Sequence, residues 1–561
     1  MAFHHLARLA RWALVVVVLS LVALPASGVP KGRDMTDAEL AHLSQAPTVR
    51  YWMANPDDAP AHLTDLFSRA DRLRARGGAG DAGDHGDARW GHGSVSNAVF
   101  NADTDGLPQN EESVSACRDD RDQVIMGTND YRGLIDPEGN FTGWHFSDDG
   151  GRSLTKEGLL PPVSEGGTAE RPSGGDPVDN FSEVDCDIFA ASLNYDPVDP
   201  FGNSNGIGIY KTDTDTLTSA ACGDDGAPDP DCWPTRRYAA FSEDPTHFLD
   251  KEWFDVGVSG DAGEVVWVTY SDFDIDPDEP NPAGFTAEIF AVRCDADLTG
   301  CTDPIPISED DIDVQFSDVT IGPDGRVYVT WSQILGELEG TAQTFVHKVR
   351  VAEPGSTEFG PEHTIFSEDL AIPFGGVLHA NDFRVATILK NDVKDVGGTY
   401  PRIYAIWDAC RYRPLDTVCE EPTIWLSHSD DLGETWSQRR AISRRGDNYF
   451  PTIADDPTGD DLAAAWFTNR HDPVFHNRQD VEMVRLDENG RVERRQRITR
   501  PSNESEADPL LGGTFIGDYI EIFAHRGRAL IGYNANYRKE ELLGLGRPIP
   551  QQDNYLARTR Y

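Results

Sequence analysis

The sequence predicts an all-β chain folded as a β-propeller of seven four-stranded blades, with six blades as the alternative. Three observations carry this expectation. A short acidic or glycine-bearing turn followed by a β-rich strand recurs seven times, at irregular spacings of about 60 to 80 residues. Each copy is preceded by one candidate strand and followed by one or two more. Helical periodicity is nearly absent after residue 93.

The copies are RDQVIMGTNDYR (121–132), DCDIFAASLNY (185–195), GEVVWVTYSDF (263–273), DGRVYVTWSQ (324–333), PRIYAIWDACR (401–411), GDDLAAAWFTNR (459–470) and RGRALIGYNANYR (526–538). Each is rich in Val, Ile, Tyr, Trp or Ala, at strand length. The last unit offers only three strands, GDYIEIFA, RALIGYNAN and NYLARTRY, before the chain ends. An unassigned strand, GSVSNAVFNAD (93–103), stands ahead of the first unit. Its pairing with the C-terminal strand is expected to complete the ring, which spans residues 94–561.

Ahead of the ring, Arg8 and Arg11 precede an apolar run from Trp12 to Leu24 and the small residues Ala26, Ser27 and Gly28. Residues 1–28 are read as a cleaved secretory signal, whose apolar run is too short to span a bilayer comfortably. Residues 29–93 hold a Thr36–Glu39 capping box and a Gly/Asp-rich linker, RGGAGDAGDHGD. The mature chain is expected to be secreted, periplasmic or on the cell surface, without membrane insertion, and monomeric.

Charge narrows the partners. The 561-residue chain carries 96 Asp and Glu against 49 Lys and Arg, a formal net charge of −47. Such a field disfavours nucleic acid and anionic membranes, so an anionic ligand would need a local arginine cluster. Two arginine-rich stretches, SQRRAISRRG (437–446) and RVERRQRITR (491–500), fall on outer strands and are candidates for polyanion contact. Eight cysteines suit an oxidising compartment. Cys222/Cys232, Cys294/Cys301 and Cys410/Cys419 are spaced as local staples, leaving Cys117/Cys186 as a long-range pair. No CxxC motif points to zinc. Asp/Asn-rich loops are compatible with Ca²⁺, but no twelve-residue EF-type loop places it, and no cofactor is required by the reading.

The stretch SHSDDLGETW (427–436) and its earlier counterpart SDDGGRSL (147–154) sit where the third strand of a blade turns into the fourth. Ser147, Asp149, Gly151, Ser429, Asp431, Gly433 and Trp436 are read as turn formers rather than catalysts: the hydroxyls and carboxylates bond turn amides, and glycine supplies positive φ. The same residues, with Ser153 and Thr435, resemble the Asp-box, or BNR repeat, of the sialidase superfamily. GTNDYR, GDPV, DKEW and FIGDY further resemble secreted bacterial exo-α-sialidase-like proteins.

That resemblance implies a glycoside hydrolase acting on sialic acid or another acidic sugar, with a glycan or glycoconjugate as partner. The alternative is a non-catalytic carbohydrate- or protein-binding propeller. The functional face is expected where second strands meet third and where fourth strands meet the next first. Those loops supply Asp130, Arg132, Asp272, Asp408, Arg411, Arg470, Tyr537 and Arg538, and Asp176, Asp250, Lys251, Glu252, Arg384, Asp518 and Tyr519. Arg132, Arg470 and Arg538 are the candidate arginines for a substrate carboxylate. Tyr537 or Tyr519 is the candidate nucleophile, Glu521 or Glu252 its partner, and Asp130 the acid. Asp250, Asp272, Asp408, Arg411 and Asp518 are candidate substrate ligands.

Overall fold

The computed structural model describes residues 35, 40, 42–56, 59–60, 63–64, 67–70, 89–92, 94–223, 226–276, 286–309, 311, 313–337, 342–371, 374–410, 418–544 and 546–561. The expected signal, the Thr36–Glu39 box, the Gly/Asp-rich linker and Arg411 lie outside these residues.

All seven expected copies are strands, each the second of an antiparallel sheet. Six sheets have four strands in sequence order, and a three-stranded sheet of Phe374–Leu378, Arg384–Ala386 and Val418–Cys419 falls between the fourth and the fifth. Their inner, first strands are Gln109–Ala116, Val178–Phe181, His247–Val258, Val314–Ile321, Leu389–Lys394 and Asn448–Asp455. The seventh sheet has five strands: Glu521–His525, Arg528–Ala535 and Asp553–Arg560, then Val95–Val99 and Arg89–His92 from the other end of the chain. Val95–Val99 pairs antiparallel with the C-terminal strand, with Ser96 opposite Arg558 and Val99 opposite Tyr555.

The second strands are buried on both faces, which explains their composition. Trp267, Trp331, Trp407 and Trp466, at similar positions in four of the four-stranded sheets, are fully covered and pack between sheets. Each such indole removes on the order of 150–250 Å² from water. Four disulfides join the expected partners, Cys117–Cys186, Cys222–Cys232, Cys294–Cys301 and Cys410–Cys419.

Inner strands of neighbouring sheets lie side by side, and short polar side chains stitch them together. Glu521 accepts from the Val114 amide (2.7 Å), and Ser113 Oγ accepts from the Asp179 amide (2.8 Å). Asn180 donates to Asp255 (2.8 Å), and Asp255 accepts from the Ile321 amide (2.7 Å). Asp318 accepts from the Asn391 amide (2.5 Å), Asp392 from the Asp455 amide, and Asp456 from the Gly527 amide (2.7 Å). Inner strands of different sheets share no ladder, so carboxylates supply acceptors that buried amides need.

The two turns resembling one another in sequence share one hydrogen-bond pattern. Asp149 accepts from the Ser153 amide (2.9 Å) and hydroxyl (2.6 Å), and Asp431 from the Thr435 amide (2.9 Å) and hydroxyl (2.5 Å). Ser147 and Ser429 accept from the Gly151 and Gly433 amides at 3.0 and 2.9 Å. Gly433 adopts φ 90°, and the Trp436 indole donates to its carbonyl (3.0 Å). These aspartates are consumed by backbone. Asp431→Ala is expected to cost about 1–3 kcal/mol, from three lost acceptor contacts, read as a lower melting temperature with an unchanged functional face.

Candidate functional site

The beginnings of the inner strands share a distortion. Register slips by a β-bulge between Asn110 and Ser113, Asp250 and Trp253, Gln315 and Asp318, and Tyr449 and Thr452. Left-handed residues mark the same level: Glu111 (φ 61°), Asp176 (52°), Lys251 (56°), Phe316 (57°) and Phe450 (53°). Gly517, at φ 90°, stands against Glu111, whose amide would lie 2.9 Å from any Cβ there. Bulges re-aim side chains, and left-handed non-glycine residues are costly, so a ring of both indicates a built site.

The re-aimed side chains meet in a small cavity of about 40 Å³ whose lining includes Glu111, Asp176, Lys251, Glu252, Trp253 and Tyr519. Trp253 and Lys390 also line a larger polar cavity of about 270 Å³ that runs between the inner strands. Trp253 meets Tyr519 edge to face at 5.5 Å, and the Lys390 ammonium lies over the indole. The Tyr519 hydroxyl donates to the Pro177 carbonyl (2.8 Å). Asp518 is gripped by Arg384, with Nε at 3.0 Å, and its amide donates to Glu111 (2.9 Å).

Electrostatics separate the carboxyl groups. Burial, then neighbouring Asp176, pushes Glu252 well above the usual range, and neither of its oxygens has a hydrogen-bond partner among the described residues. Burial and then Asp250 push Asp176 up to about 7. Glu252 therefore keeps its proton at neutral pH, beside a carboxyl poised to ionise there. Pairs driven apart in this way divide acid and base roles.

The mouth carries a cover. The helix Gln45–Ala54 packs on this face, and the residues before it reach into the carboxylates. Ser44 donates from its amide to Asp250 (3.0 Å) and from its hydroxyl towards Asp176 (2.5 Å) and Asp250. The Leu43 carbonyl accepts from Arg384 (3.0 Å). Burial, Lys251 and Arg384 hold His42 neutral, its pKa lowered to about 4.

The sequence-predicted residues divide into groups. Asp250, Asp518 and Tyr519 belong to the mouth. Glu521 lies deeper, bonded to Ser113 Oγ (2.6 Å) and raised to about 7 by burial. Asp130 and Arg132 form a buried pair (2.5 Å), with Glu157 on the other side of the guanidinium (3.0 Å). Against the upward push of burial, Arg132 and His145 hold Glu157 at about 2. Arg538 pairs with Glu540 (2.9 Å) and faces Asp553 (3.7 Å). Arg470 pairs with Glu482 (2.7 Å), which also binds His471 and Arg495. The three arginines expected to hold a ligand carboxylate are thus each neutralised in place, and none lines the two central cavities. Tyr537 donates to the Pro501 carbonyl (2.6 Å), away from the mouth. Asp272 binds His247 (2.9 Å), and Asp408, raised to about 8 by burial, accepts from the Ile388 amide (3.1 Å).

In the two arginine-rich stretches Arg439 pairs with Glu368, Arg445 with Glu421 (2.8 Å), Arg495 with Glu482 (3.0 Å) and Arg497 with Asp480 (2.7 Å). No group of three or more His, Cys, Asp or Glu side chains is placed to hold a metal ion among the described residues. Glu111, Trp253, Phe316, Lys390 and Ser44 were not foreseen. One signal existed for Lys390: three of the chain's eight lysines, Lys251, Lys390 and Lys394, fall on inner strands.

No protein-family model matches the chain, and no curated protein matches its sequence. Solved structures do resemble it. A protein of unknown function from Dyadobacter fermentans superposes with a TM-score of 0.42 and 10% identity, over 84% of this chain and 99% of that one. The phage phi92 endosialidase gives 0.41 and 11%, over 83% and 69%. The Penicillium chrysogenum α-L-arabinanase gives 0.38 and 12%, over 67% and 94%. At such identities and scores the likeness assigns neither an activity nor a substrate to this chain.

Proposed function

We propose that the chain is a sialidase-like propeller whose mouth binds a glycan and hydrolyses a glycosidic bond, with Glu252 as proton donor and Asp176 as its carboxylate partner. In this reading the seven sheets are blades closed by Val95–Val99, and the turns at 147–153 and 429–436 are Asp-boxes. The observation that carries the chemistry is the pairing of a buried, unpartnered acid with a second carboxyl of different affinity for protons. Trp253, Tyr519 and Phe316 offer faces on which a sugar ring can stack. Five carboxyl groups, Glu111, Asp176, Asp250, Glu252 and Asp518, stand against Lys251, Arg384 and Lys390. Burial raises Glu111 and Glu252 well above the usual carboxylate range, so the carboxylates left ionised and the three cations are nearly matched, and Arg384 is already gripped by Asp518; a mouth so matched suits the hydroxyls of a neutral sugar.

The four disulfides fit an extracellular or soluble protein, and among the described residues no helix is long and apolar enough to cross a membrane. Export through the signal at residues 1–28 and a monomeric state complete the proposal. A second reading, a glycan-binding propeller without turnover, is favoured by the aspartate–arginine pairs at Arg132, Arg384 and Arg538.

Release of a fluorogenic aglycone from neutral glycosides, sialosides and uronides separates these readings. Turnover is expected on a neutral glycoside, and Arg132→Lys, Arg470→Lys and Arg538→Lys are expected to leave it standing. Turnover confined to sialosides or uronides and lost in those variants would return the site to the arginine triad. Glycan binding without any release would establish the non-catalytic reading.

A further inference from the structure

At the other end of the inner strands, where the first and seventh sheets meet, lies a cavity of about 220 Å³. Arg121, Arg152, Arg528, Arg558 and Arg560 line it together with His525. The concentration is anomalous in a chain of net charge −47, whose other arginines are so often matched to acids. Arg121, Arg528 and Arg560 have no carboxylate within 4.0 Å among the described residues, and Arg152 reaches only Asp122, at 3.7 Å. Burial and then the guanidiniums of Arg121, Arg560 and Arg152 lower the Arg528 pKa. His525 is 5% exposed, and neither ring nitrogen has a hydrogen-bond partner among the described residues. The nearby Asp456 is turned to the Arg526 and Gly527 amides (3.0 and 2.7 Å).

Like charges held this closely raise the energy of the empty fold, and a bound anion relieves the repulsion while gaining forked hydrogen bonds. An unpartnered imidazole beside them offers a further donor. A single carboxylate would leave most of that positive charge uncompensated. We propose that this cavity binds a multivalent oxyanion, a phosphate or sulfate group, either free or as an ester on a sugar. The site is separate from the mouth, and the strands that meet there include both Val95–Val99 and Asp553–Arg560, so its occupancy ties the two ends of the chain together.

The test is thermal melting of the full chain in low-millimolar sodium sulfate or phosphate, against sodium chloride at equal ionic strength. A saturable rise in melting temperature with the divalent anions alone is expected. Saturation separates binding from the general salting effect of sulfate, which grows steadily with concentration. Arg528→Gln with Arg560→Gln is expected to abolish the rise and, without added anion, to melt higher than the parent because the repulsion is gone. Should that pair fold poorly, Arg121→Gln and Arg152→Gln are each expected to weaken the response several-fold. Glu252→Gln is expected to leave it unchanged. Glucose 6-phosphate and glucose 6-sulfate, compared with inorganic anions and with glucose, identify the source: tighter binding of the esters makes the sugar ester the ligand, and equal binding makes it the free anion. Equal effects of sulfate and chloride, or a saturable rise that survives in the double variant, would overturn the proposal.

Discussion

A chain ending at Gln552 is expected to lose its fold as a unit rather than to fray at one edge. The missing strand, Asp553–Arg560, is bonded on both sides, to Arg528–Ala535 along its full length and to Val95–Val99. Tyr555, Leu556 and Ala557 are fully buried. Leu556 packs with Phe100, Val114 and Met126, and so joins the seventh sheet to the first. Burying large apolar side chains is worth about 1.5–3 kcal/mol each, before the lost ladder and the stranded N-terminal hairpin are counted. A domain's whole margin is commonly about 5–15 kcal/mol, and the removal also bares two long strand edges. Circular dichroism and size-exclusion chromatography should show no cooperative native transition and self-association. Melting like the parent would mean that the sheets cohere without this strand.

Glu252→Gln is expected to lower turnover by about 10²–10⁴-fold, the usual contribution of a positioned proton donor, while leaving the fold intact. The amide has the same shape but no proton to give. Glu252 holds its proton above its unfolded pKa, so its contribution to stability is full below that value and is lost as pH rises through the folded one. The variant should therefore lose less melting temperature than the parent on moving from acidic to alkaline buffer. Asp176 predicts the other limb of the rate profile. Its pKa of about 7 makes turnover climb as pH rises through that value, and Asp176→Asn should remove the climb. An unchanged rate in Glu252→Gln, with the melting behaviour as described, would place the chemistry elsewhere.

The strands were legible because burial on both faces leaves a compositional mark, a run such as VVWVTY or AAAWF, that needs no knowledge of neighbours. The disulfides were legible from spacing for a similar reason: a staple across a hairpin constrains both cysteines locally. Site residues were less so. Arg132 and Asp130 lie two residues apart and satisfy one another, which sequence position alone does not distinguish from two side chains facing a ligand. Trp253 reads as blade core until a bulge turns it towards the mouth. Ser44 precedes the ring in the sequence, and nothing in its surroundings there signals that it ends between Asp176 and Asp250, more than a hundred residues on.

Ser44 has a bearing on how affinities for this protein are to be read. A sugar hydroxyl seeking Asp176 and Asp250 meets a hydroxyl already bonded to both, attached to the same chain and therefore never diluted away. The measured dissociation constant is then the intrinsic one divided by the fraction of molecules whose residues 42–44 have lifted, and the observed on-rate falls in step. Weak binding by the intact chain would report the competition of its own residues 42–44 for the carboxylates rather than a poor fit of the ligand.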